Sequence, residues 1–373
     1  MLKFGGSSVG TALSLAQVLG TVGDIVAEGR RSDEPSATST STAQHLQQQP
    51  GGTDRVPPAQ VAVVVSAQGN TTDWLLDAAD FASNGKLEQA LHMVDRVAEQ
   101  AITNAFAAIS IPAGQLPGNS RESSPGNIPA GFIQEVRKLL EPLRKLMEGM
   151  SLLREKTPQG LDYALSFGER LSAYVLARLL NARGIAALAV DARSWVLTDS
   201  HFGDARVDWE KTRTNVHGLW ASWGDRVTVH TGFIGQTVDG RTTTLGRNGS
   251  DYTATLLAGS LQATKVVINT DVPGVMTADP RIVPDAVPVS NLTFSEALEL
   301  AVYGSRLFHP RTFFPLIQTG VPMLIRNTMD AGYSCLGLDI DQASPMCPRH
   351  DPAPPAPQRG MACASQGLVV SGG

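Results

Sequence analysis

Several short segments carry side chains whose types and spacing suit work on a phosphate or a carboxylate. The chain opens on KFGGSSVG (3–10), where a lysine in a short apolar run precedes two glycines, two serines and a helical pattern beginning near Leu13. A strand, a glycine turn and a helix start in that order aim backbone N–H groups and a positive dipole end at a phosphate. Lys3 adds a mobile point charge beside Gly5, Gly6 and Ser7. The same two glycines also suit a plain tight turn. In VVVSAQGNTTD (63–73), Ser66 ends an apolar run and Thr72 sits at a helix start. Such residues face a cleft at the carboxyl ends of parallel strands, although Thr72 followed by Asp73 also reads as ordinary capping.

In SFGERLSAYVL (166–176), Glu169 stands just inside an amphipathic helix. It reads either as a surface carboxylate complementing the dipole or as a partner for a substrate ammonium group. The run TTTLGRNGSD (242–251) opens another helix with Arg247 and Asp251 crowded at its start. The planar fork of Arg247 suits a carboxylate. Farther on, INTDVPGVMTADPR (268–281) ends a strand at Thr270 and Asp271 and turns toward Arg281. Asp271 there suits a ribose or metal and Arg281 a phosphate, or the two form an exposed strand-end turn. Arg306 follows a helix end, and His309-Pro310 begins another helix.

These side chains need a scaffold that gathers strand ends. Near-continuous apolar runs at 61–66, 185–190, 227–231, 265–270 and 322–326 read as strands buried on both faces. Helical patterns at 74–108, 131–150, 163–183, 250–261 and 294–303 alternate with them, which predicts an α/β fold with a mainly parallel sheet covered by helices. Segments near 31–58 and 110–129 are polar or Pro-rich and read as low-complexity inserts; 343–373, with PAPPAP at 352–357, reads as a disordered tail. Among the 373 residues, 30 Lys and Arg stand against 35 Asp and Glu, a net charge of −5, which disfavours nucleic acid and anionic membranes as partners. Three cysteines without C-x-x-C spacing argue against a structural zinc site or a disulfide framework, and no metal site is expected. No Walker A loop or dinucleotide fingerprint occurs.

Taken in order, KFGGSSV (3–9), VSA and TD (65–73), GE (168–169), TGFIG (231–235), TTTLGRNGSDYTA (242–254), TDVPGV with DPR (270–281) and HPRT (309–312) resemble the catalytic domain of aspartate kinases, within the amino acid kinase family. The block is also similar to the kinase half of bifunctional aspartate kinase/homoserine dehydrogenases. The resemblance covers residues 1–330 and implies a three-layer αβα sandwich that phosphorylates the β-carboxylate of L-aspartate from ATP with Mg²⁺, the first step toward lysine, threonine and methionine. It implies that Lys3, Gly5, Gly6, Ser7 and Ser66 meet ATP and the transferred phosphate, with Asp251 orienting Lys3. Thr72, Glu169, Phe233 and Arg247 would hold aspartate. Thr270, Asp271, Met276, Arg281 and Arg306 would line the nucleotide.

Arg306 stands where the family usually has lysine, and Met276 where it usually has tyrosine. A kinase for glutamate or acetylglutamate fits TTTLGRNGSDYTA and Glu169 less well. The two departures, with no ACT or dehydrogenase domain expected after residue 330, also fit a truncated or non-catalytic nucleotide-binding remnant. A homo-oligomer is expected, in the cytoplasm, or in the plastid stroma if a transit peptide is missing from the chain.

Overall fold

In the computed structural model, the residues described are 1–32, 60–112, 116, 126–272, 274–279, 282–302, 308–329 and 333–337. Strands β1 (Leu2–Phe4), β2 (Ala62–Val65), β3 (Ala187–Val190), β4 (Val227–Thr231), β7 (Val266–Thr270), β8 (Asn291–Thr293), β9 (Met323–Asn327) and β10 (Tyr333–Gly337) form one sheet ordered β3-β4-β2-β1-β7-β9-β10-β8. All neighbours are parallel except β9 and β10. Strands β5 (Ile234–Gln236) and β6 (Thr242–Thr244) make a separate antiparallel pair.

Alternation along the strands builds the three layers. Val63 and Val65 of β2 belong to one buried cluster, and Ala62 and Val64 to another. Because successive side chains point to opposite faces, the two clusters occupy opposite sides of the sheet. The first is completed by α2 (Ala12–Ser32), α3 (Thr71–Ser83), α4 (Leu87–Ser110), α5 (Phe132–Leu153) and α6 (Pro158–Ala182). The second is completed by α7 (Trp209–Trp223), α8 (Gly249–Ser260), α9 (Phe294–Val302) and α10 (Phe314–Thr319). A single turn, α1 (Gly6–Val9), follows β1.

Several boundaries differ from the sequence reading. The single pattern at 74–108 is two helices, because Asn84 and Gly85 (φ +74°) break the chain into the left-handed region that ends helices. The helix expected from 163 begins at Pro158, capped by the Thr157 hydroxyl accepting from the Gly160 N–H at 3.0 Å. Glu169 therefore lies in mid-helix, away from the N-terminal dipole. The short strands β8 and β10 carry too little apolar pattern to have been read as strands.

Leu116 and Ile128, inside the second expected insert, are buried in the first cluster. Most of the first insert and all of 343–373 lie outside the described residues. No described helix is long and apolar enough to cross a membrane.

The strand order reverses at β1, whose neighbours are β2 on one side and β7 on the other. Open α/β sheets bind ligands outside the carboxyl ends of their strands at such a switch point.

Candidate active site

A cavity of about 290 Å³ lies there, with walls that include Lys3, Gly6, Ser66, Thr72, Glu169, Phe233, Asn248 and Asp251. They come from both layers. Lys3 is on the strand face toward α8, since its register partners Val64 and Ile268 belong to the second cluster. Glu169 comes from α6 on the opposite side.

The loops close in tightly. A Cβ on Gly6 would stand 2.8 Å from the Ala67 carbonyl oxygen, so the turns after β1 and β2 approach as only glycine permits. Phe233, after β4, holds φ at +67°, a conformation costing a non-glycine residue on the order of 1–3 kcal/mol. It is fixed by its N–H donating to the Thr253 hydroxyl at 3.0 Å and its carbonyl accepting from the Leu245 N–H at 2.8 Å. A Cβ on Gly249 would fall 2.7 Å from the Phe233 ring, which explains the glycine at the first residue of α8.

Two buried charges define the chemistry. Lys3 Nζ lies 2.7 Å from Asp251 Oδ1, with both side chains about nine-tenths buried. Asp251 is in the first turn of α8, so the pair is anchored to a helix start as well as to the central strand. The Glu169 carboxylate is 4% exposed. Its Oε1 accepts from the Ala67 N–H at 3.2 Å, whereas Oε2 is buried without a hydrogen-bond partner. Burial pushes the Glu169 pKa up to about 8, only partly opposed by the Ala67 N–H. A cation placed beside Oε2 would remove that penalty.

A residue missed from the sequence supports this wall. Asp162, two turns before Glu169 on the same helix face, accepts from the Gly203 N–H (2.9 Å), the Thr244 N–H (2.8 Å) and the Thr244 hydroxyl (2.9 Å). Burial raises its pKa despite those three donors. It clamps β6, and with it the turn bearing Arg247, to α6. Its spacing from Glu169 was the available signal.

The other expected residues lie around the cavity. Gly5 and Ser7 belong to the turn after β1, where the first N–H groups of α1 lack intrahelical acceptors. Arg247 is exposed, beside the cavity-lining Gly246 and Asn248, and is not one of the walls. Thr270, at the end of β7, donates its hydroxyl to the exposed Asp271 carboxylate at 3.1 Å. Met276 is half-buried and bridges to Pro288. Arg281 and Arg306 lie outside the described residues. His309, read as structural, caps a 3₁₀ turn, its Nδ1 accepting from the Arg311 N–H at 3.3 Å.

Comparison with known proteins gives the same direction. The model of the amino acid kinase family matches residues 1–327. Lysine-sensitive aspartokinase 3 of Escherichia coli is 33% identical over 280 residues, 72% of this chain and 62% of that protein. Aspartokinase 1, chloroplastic, of Arabidopsis thaliana is 36% identical over 51% of this chain and 34% of its own length. Among solved structures, E. coli aspartokinase III in complex with aspartate and ADP superposes with a TM-score of 0.68 at 29% identity, covering 90% of this chain and 64% of that one. The chain thus spans less than two thirds of these relatives.

Proposed function

The chain belongs to the amino acid kinase family, and from that premise we propose that it transfers the γ-phosphoryl group of ATP to the β-carboxylate of L-aspartate, giving 4-phospho-L-aspartate and ADP. One observation carries the choice of substrate: a buried carboxylate oxygen of Glu169, with no partner, in the same cavity as the Lys3–Asp251 pair. An amino acid supplies what that cavity lacks, an ammonium group for Glu169 and a carboxylate acceptor for a phosphoryl group held near Lys3.

The reaction needs no general base. An aspartate β-carboxylate has an ordinary pKa of about 3.9 and is ionised at neutral pH. The difficulty is bringing two anions into line, so catalysis rests on positioning and charge neutralisation. Lys3, steadied by Asp251, offsets charge on the transferred group, and the N–H groups of the Gly5–Ser7 turn add fixed dipoles. Glu169 holds the substrate ammonium, Arg247 turns in from the rim onto the α-carboxylate, and Thr72, Ser66 and Phe233 shape the walls. On the nucleotide side we assign Thr270, Asp271, Met276, Arg281 and Arg306. Among the described residues no group of three His, Cys, Asp or Glu could hold a metal by itself. That suits Mg²⁺ arriving on the triphosphate as MgATP, the substrate.

The test is ADP formation by the purified chain with MgATP, comparing L-aspartate, L-glutamate, N-acetylglutamate and no acceptor. Turnover that depends on L-aspartate supports the proposal. Equal rates with all acceptors, or none from a chain that binds MgATP, contradict it.

A further inference from the structure

Lys3 is aimed from a strand that is itself fixed by a neighbour on the opposite face. Asn269 of β7 is 1% exposed and grips the start of the chain at three points. Its carbonyl oxygen accepts from the Gly5 N–H at 3.3 Å and the Ser8 hydroxyl at 3.5 Å, while its Nδ2 donates to the Lys3 carbonyl at 2.9 Å. Its Oδ1 accepts from Arg326 Nε at 2.7 Å. Asn269 is the direct register partner of Phe4 on one side and of Arg326 on the other, so the three strands hold this chain of bonds in one row.

An asparagine amide has two nearly isosteric ends, one that accepts and one that donates. A guanidinium only donates, and a backbone carbonyl only accepts. Arg326 therefore admits the amide oxygen alone, which leaves the amino group for the Lys3 carbonyl. Turned over, the amide would set donor against donor and acceptor against acceptor and lose both bonds. Partial burial of Arg326 reduces the competition of solvent for its charge-assisted bond to Asn269.

We propose that Arg326 is a positioning residue: it sets the orientation of the Asn269 side-chain amide, which fixes the Lys3 backbone beside the main-chain bonds from Asn269 to Gly5 and Ser8, and so the aim of the Lys3 ammonium. This rests on the reading that Lys3 works at the transferred phosphoryl group.

The test uses Arg326→Met, which keeps an apolar stem, Arg326→Lys, which still only donates, Asn269→Ala, and the double variant Arg326→Met/Asn269→Ala. Two readouts are taken: hydrogen exchange of the segment 3–9 by mass spectrometry, and aspartate-dependent ADP formation. Arg326→Met is expected to speed exchange in 3–9 several-fold and to lower kcat about tenfold, with KM for aspartate within about twofold. Arg326→Lys should restore most of both. The double variant should match Asn269→Ala, because one effect acts through the other. Unchanged exchange in 3–9, multiplicative losses in the double variant, or no rescue by lysine would overturn the inference. Should the wild-type chain give no aspartate-dependent turnover, the proposed function fails, and the exchange results alone still decide the role of Arg326.

Discussion

Helix α6 carries two buried carboxylates on one face, and they differ in a single respect. At Asp162 both oxygens are occupied, by two backbone N–H groups and a hydroxyl. At Glu169, which lines the cavity, one oxygen takes one N–H and the other is buried without a hydrogen-bond partner. Burial raises both pKa values, so neither burial nor a raised pKa separates a structural carboxylate from a functional one. Unmet hydrogen-bonding capacity in a residue that lines a cavity does. Asp251 is a third case, a carboxylate in the cavity wall that is ion-paired with Lys3 at 2.7 Å.

That contrast can be broken at each point. The largest effect belongs to Lys3→Ala, which removes the cation paired with Asp251: kcat should fall by at least about a thousandfold, roughly 4 kcal/mol of transition-state stabilisation, while circular dichroism stays native and the unfolding midpoint falls because Asp251 is left buried without its cation. Near-normal turnover would sink the role of Lys3. Asp162→Ala strands three donors in the interior, so chemical denaturation should report a loss of about 3 kcal/mol in stability. A loss below about 1 kcal/mol would mean that the clamp on β6 is unimportant.

Glu169→Gln should do the reverse of Asp162→Ala, lowering kcat/KM for aspartate about a hundredfold, roughly 2.7 kcal/mol, without loss of stability. The sign with pH follows from the raised pKa. Below about 4.5 the carboxyl is protonated folded or unfolded; as pH rises toward about 8 the unfolded chain ionises first and the folded state loses stability. Glu169→Gln should flatten that decline in a series of denaturation curves. The smallest effect is expected at the exposed rim, where Arg247→Ala should raise KM for aspartate about tenfold and leave kcat nearly unchanged. A fall in kcat with constant KM would move Arg247 from substrate binding to the transition state.

Much of the fold was legible because its sheet is buried on both faces. Runs such as VAVVV (61–65) and VVINT (266–270) have few readings other than interior strands. The glycine turns were legible for a similar reason, since close backbone approach admits few residues. Hydrogen-bond satisfaction was not legible. Asp162 near a helix start and Asn269 inside a strand look ordinary in sequence, and only the fold brings Thr244 and Gly203 to one and Lys3 and Arg326 to the other. Glu169 was singled out but given the wrong setting. The helix start at Thr157-Pro158 carries no apolar periodicity, so the carboxylate seemed to sit in a first turn that lies farther back.

The most direct measurement is titration calorimetry of L-aspartate into the chain at pH 7, in buffers of different ionisation enthalpy, for wild type and Glu169→Gln. With its pKa raised to about 8, Glu169 is mostly protonated in the empty cavity. Pairing with the substrate ammonium must ionise it, so wild type should release about one proton per aspartate bound and Glu169→Gln none, with weaker binding. Aspartate binding with no proton release, or with equal release from both proteins, would contradict the assignment of Glu169 as the residue that receives the substrate.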